Sequence, residues 1–112
     1  MAHNEKLVDR IRELLVDTPN VEEKKMFRGL TFMVNDKMCI SVASDEIMCR
    51  IDPTLHESLI EKKGARTMYM KGREYKGYIL VEEEALKSKK ELVFWVNLSL
   101  EFNKKAKSSK KK

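Results

Sequence analysis

The chain has 112 residues, of which 42% are apolar and 37% charged, with a formal net charge of +5. That length suits one domain around a single core, and the longest apolar run, the five residues 92–96, is too short to span a membrane. The opening "MAHNEKLVDR" lacks the apolar stretch of a secretory signal, and two cysteines are no disulfide framework, so a reducing cytoplasm is the expected compartment.

The charge is unevenly spread. Residues 1–61 carry a balance of −4, residues 62–76 one of +5, residues 77–103 one of −2, and the last nine residues six lysines with no acid. The body is therefore slightly acidic, and basic character sits in one segment and a tail.

In chain order, residues 4–17 read as an amphipathic helix. Leu7, Ile11, Leu14 and Leu15 recur at helical spacing, Asn4 fits the cap, and Thr18-Pro19-Asn20 stops it. Strands are expected at 29–34, 37–43 and 46–51. Asn35-Asp36 joins the first two, because both residue types tolerate the positive φ of a two-residue hairpin turn. Asp52-Pro53 opens a short helix that Gly64 ends. Residues 66–70 and 75–81 form a second hairpin around Lys71-Gly72-Arg73. Ser88 and Glu91 make a capping box. The following "LVFWVNLSLEF" alternates like a strand, but the cap and the absence of turn residues favour a helix to about residue 104. The order α-β-β-β-α-β-β-α implies an α+β domain over residues 1–103, an antiparallel sheet packed against helices, followed by a disordered lysine-rich tail at 104–112.

The run Arg28 to Val34 loosely matches the base-stacking strand of an RNA-recognition motif. That strand needs exposed aromatic faces. Here Leu30 and Asn35 occupy two of the aromatic positions, and only Phe32 survives. Pairing across Asn35-Asp36 instead assigns Leu30, Phe32, Val34, Cys39, Ser41, Ile47, Cys49 and Ile51 to the face beneath the helices. The other face then carries Thr31, Met33, Met38, Ile40, Val42, Met48 and Arg50. Methionine either fills irregular core gaps or makes adaptable binding surfaces. Met33, Met38, Ile40 and Met48 are accordingly candidates for a partner surface, and a second core layer is the simpler alternative.

Catalytic and metal-binding patterns are missing. His3 and His56, the latter on an expected surface helix, have no ligand at zinc spacing. Neither a nucleophile elbow nor a phosphate loop appears. No cofactor is expected, and the chain reads as no enzyme. Cys39 and Cys49 fall on neighbouring strands, so a redox pair is conceivable, but buried inert thiols are the simpler reading. Lys62, Lys63, Arg66, Lys71, Arg73 and Lys76, with the tail residues Lys110, Lys111 and Lys112, are candidate contacts to nucleic-acid phosphates. The six tail lysines neutralise at most about six phosphates, with a salt slope near about −5.

The runs "KKMFRGLTFMVNDKMCISV", "IMCRIDP", "GARTMYMKGREYKGYILV" and "LVFWVNLSLEFN" together resemble the N-terminal domain of the TfoX (Sxy) family. The resemblance covers about Glu5 to Lys105. Its most specific parts are Met26-Phe27, Gly29, Phe32-Met33, Lys37-Met38-Cys39, Gly64-Ala65-Arg66, Gly72-Arg73, Lys76-Gly77 and Trp95-Val96. It implies an α+β domain similar to the secretion-chaperone-like fold, often dimeric. Full-length members look like regulators of natural competence that assist the cyclic-AMP receptor protein, with a further C-terminal domain that is expected to be missing here. No catalytic residues carry over. Arg28, Asp36 and Thr67 depart from the family's usual Gly, Gly and Pro. The expected function is a cytoplasmic regulatory or adaptor domain acting through protein contacts, as a homodimer. The alternative is a weak nucleic-acid accessory protein using the 62–76 segment and the tail.

Overall fold

The computed structural model describes residues 4–26, 29–70 and 72–105. Helix α1 (Glu5–Leu14) starts where the Asn4 side chain accepts a hydrogen bond from the Leu7 amide at 3.1 Å. Strands β1 (Val21–Met26), β2 (Gly29–Val34), β3 (Lys37–Val42) and β4 (Glu46–Arg50) follow. A 3-10 turn leads into the short α2 (His56–Leu59). Strands β5 (Ala65–Met70) and β6 (Arg73–Glu82), and helix α3 (Lys89–Asn103), complete the chain. All pairings are antiparallel, in the order β1-β2-β3-β4-β6-β5. The fold is α+β. The order differs from expectation in one place: β1 precedes the three anticipated strands and pairs with β2 over residues 21–26.

Helix α1 and helix α3 cover one face of the sheet. Leu7, Val8, Ile11 and Leu15 meet Leu92, Trp95 and Val96 over Phe32, Ile40, Ile47 and Ile79. Each fully buried aliphatic or aromatic side chain in this layer contributes about 1.5–3 kcal/mol. The ambiguous apolar run is a helix, with Ser88 accepting from the Glu91 amide at 3.2 Å. Its buried residues Leu92, Trp95, Val96, Ser99 and Asn103 keep helical spacing, so the apparent alternation was incidental. Phe94 remains 36% exposed, and the Lys62 ammonium lies 4.3 Å from its ring centre.

The hairpin turn at Asn35 and Asp36 has φ of 55° and 65°, the left-handed pair such a turn demands. Beyond it the register holds one irregularity. Leu30, Thr31 and Phe32 stand opposite Val42, Ser41 and Ile40, but Met33 stands opposite Met38. Cys39 is therefore a surplus residue, a β-bulge. Directly opposed residues share a face. The bulge thus brings Ile40 and Val42 beneath the helices with Phe32 and Leu30, and sends Ser41 outward with Thr31. This corrects the expected faces, which a bulge-free ladder exchanged beyond Cys39.

Gly29 lies where β2 meets the end of β3. A Cβ there would collide with the Val42 carbonyl, so the approach of the two strands requires glycine.

Candidate interaction site

The outer face of the sheet carries a second apolar cluster. Met33, Met38 and Met48 are each 6% exposed, and Met68, Tyr78 and Leu80 pack against them. Every described member comes from a strand, and among the described residues no helix residue joins them. The strand order explains the assembly: Met48 stands opposite Leu80, Leu80 opposite Arg66, and Arg66 ion-pairs with Glu46 at the rim. Within the cluster's neighbourhood, the Thr31 hydroxyl donates to Ser41 Oγ at 3.0 Å. Three of the four candidate surface residues, Met33, Met38 and Met48, are therefore together. Ile40 is not. It is fully buried in the helix-covered core, because the bulge turns it inward. Tyr78 and Leu80 escaped the sequence reading because nothing local announces that β6 is inserted between β4 and β5.

The basic candidates do not share one face. Arg66 belongs to the outer rim, paired with Glu46. Lys62 approaches Glu91 at 3.6 Å on the helix side. Lys76 pairs with Glu57 at 2.8 Å beside α2, a contact that lowers the Glu57 carboxyl and raises the Lys76 ammonium relative to their ordinary values. Lys63 and Arg73 are exposed. Lys71, Lys110, Lys111 and Lys112 lie outside the described residues, as do His3 and Arg28.

His56 is buried, not on a surface helix as its short polar segment suggested. Its Nδ1 accepts from the Gly77 amide at 2.9 Å, so Nε2 carries the proton and donates to Thr67 Oγ1 at 3.0 Å. Gly77 reaches this position with φ of +94°, while its carbonyl accepts from the Ile51 amide at 2.8 Å. The imidazole is thus a joint between α2, β5 and β6, with both nitrogens engaged in holding the fold.

Burial pushes the Cys39 thiol up to about 12, partly countered by Arg50, and pushes the Cys49 thiol up to about 12, partly countered by a hydrogen bond with Ser99. Both therefore stay protonated near neutrality, the form that is neither nucleophile nor ready ligand. Among the described residues, no group of three His, Cys, Asp or Glu side chains converges as a metal site would require.

At the far end of α3 a groove of about 470 Å³ runs between the loop after α1, the β2–β3 turn and α3. Val34, Leu100 and Pro19 supply its apolar lining, and Asn35, Asn97 and Asn103 its carboxamides.

A six-stranded antiparallel sheet with helices on one face and a methionine cluster on the other defines an open α+β domain. The TfoX N-terminal domain model matches residues 13–103, and the chain belongs to that family. The family is linked in general to competence regulation and is not one of known enzymes. A protein from Pseudomonas syringae, a structural-genomics target solved in the crystal, shares the fold with a TM-score of 0.64 at 16% identity, covering 89% of this chain and 97% of that one. A solution NMR structure from the same organism gives 0.62 at 16% identity, covering 89% and 92%. No curated protein matches the chain. No helix of the described residues is long and apolar enough to cross a membrane.

Proposed function

We propose that this chain is a regulatory or adaptor domain, related to competence regulators, that acts through protein contacts and pairs with a second copy of itself across the outer sheet face. The observation that carries this reading is the strand-only cluster of Met33, Met38 and Met48 with Met68, Tyr78 and Leu80. Flexible, polarizable side chains on a sheet face where no helix of the described residues packs suit an adaptable contact surface. The ion-paired Arg66 and Glu46 at its rim supply both signs of charge, which a face meeting its own copy can exchange in a two-fold arrangement. The engaged imidazole and protonated thiols support a non-catalytic role.

Sedimentation equilibrium tests it. The wild-type chain is expected to be a dimer at micromolar concentration. Met68→Lys, at a half-buried position on the patch, is expected to be monomeric with an unchanged circular dichroism spectrum. A wild-type chain that stays monomeric throughout, or a variant that still dimerises, would contradict the proposal.

A further inference from the structure

We infer that the groove at the C-terminal end of α3 binds an extended peptide segment carrying a lysine or arginine. Its residues differ from those of the methionine face, so either site stands without the other.

Asn103 is the starting point. It is 3% exposed and lines the groove. Its Nδ2 donates to the Val34 carbonyl at 3.2 Å, and no described residue donates to its Oδ1. A buried carboxamide oxygen without a donor costs free energy, about 1–3 kcal/mol. Something that enters the groove with an N–H is therefore favoured there.

Asn35, the neighbour of Val34, supplies the complement. Its Oδ1 accepts from Asn20 Nδ2 at 2.9 Å, and its backbone amide donates to the Asn20 carbonyl at 3.0 Å. That leaves its own Nδ2, on an exposed side chain, as a donor at the groove. An acceptor and a donor thus flank the peptide that joins Val34 to Asn35. A peptide unit presents the matching pair, a donating N–H and an accepting carbonyl. Val34, Leu100 and Pro19 offer apolar surface to the segment's side chains.

Charge narrows the class. Among the described residues, Asp17 and Glu101 line the groove against one ammonium, Lys104, which approaches Glu101 at 3.5 Å. The balance favours a cation and disfavours a phosphate or carboxylate. Among the described residues, no aromatic ring lines the groove for a base or sugar to stack on.

A nitrogen-15 NMR titration of the full chain with the blocked peptide acetyl-Gly-Lys-Gly-Lys-Gly-amide tests this. Saturable shifts are expected at the Asn35, Asn97 and Asn103 side-chain amides and at Val34 and Leu100. The matching peptide with glutamate in place of lysine should leave them unmoved. Asn35→Gly keeps a residue at ease with positive φ while removing the donor, and should weaken binding about fivefold, as loss of one hydrogen bond implies. Asn97→Ala, on the exposed side of α3, gives a second measure should the turn variant fold poorly. The proposal is overturned by the absence of saturable shifts, as when ordered water alone satisfies Asn103, or by shifts confined to other surfaces. Equal response to the acidic peptide, or undiminished affinity in the folded variants, would overturn it too.

Discussion

Cys39 and Cys49 stand in the core with thiols whose ordinary value of 9.0 is raised by burial to about 12. In the unfolded chain they ionise near 9, while in the folded chain they hold their protons until about 12. Their contribution to stability is therefore complete below about pH 9 and is lost as pH rises through the folded value. The melting temperature of the wild type should fall between pH 9 and 11 more steeply than that of the double variant Cys39→Ala, Cys49→Ala. Parallel slopes would show that other groups set the alkaline limit. The sequence placed both thiols in the core by strand position alone. It could not show that Cys39 enters as an unpaired bulge residue, since a bulge leaves no mark in the pattern of apolar residues.

Among the elements, α2 is the shortest and depends most on a polar anchor. His56→Leu keeps a side chain of similar bulk but strands the Gly77 amide and the Thr67 hydroxyl, which lose partners at 2.9 and 3.0 Å. Each orphaned group costs about 1–3 kcal/mol, so the urea midpoint should drop sharply with little change in slope. A midpoint within error of wild type would mean water reaches both groups. Nothing local announces this joint, because its three members lie 11 and 10 residues apart and Gly77 joins it at a φ of +94°. The capping signals at Asn4 and Ser88, by contrast, were local and legible. Strand β1 was missed for a physical reason. "VEEKKM" is an edge strand whose charges discourage pairing with foreign strands, and those same charges hide its β character.

For the whole molecule, the charge distribution argues against a single electrostatic footprint. Lys62, Arg66 and Lys76 each face a carboxylate and point to different sides. Any retention on duplex DNA should therefore rest on the lysines of 104–112, fall with a salt slope no steeper than about −5, and vanish when those residues are deleted. Binding that survives high salt would require a contact surface other than these charges. Fold class and the helix-covered layer were readable from spacing and caps because they depend on neighbours in sequence. The outer cluster was readable only in part, because Tyr78 and Leu80 join it through the long-range placement of β6.

The bulge in β3 also gives the strand something like a reading frame. Because residue 39 is the surplus one, dropping it would leave Ile40, Ser41 and Val42 opposite Phe32, Thr31 and Leu30, whereas dropping Ser41 would bring Val42 opposite Thr31. In the second case a core valine would turn toward the outer face. Loss of the codon for residue 39 would thus keep every side chain on its own face, so descendants of this sequence are free to lose that position but not its neighbour two places on.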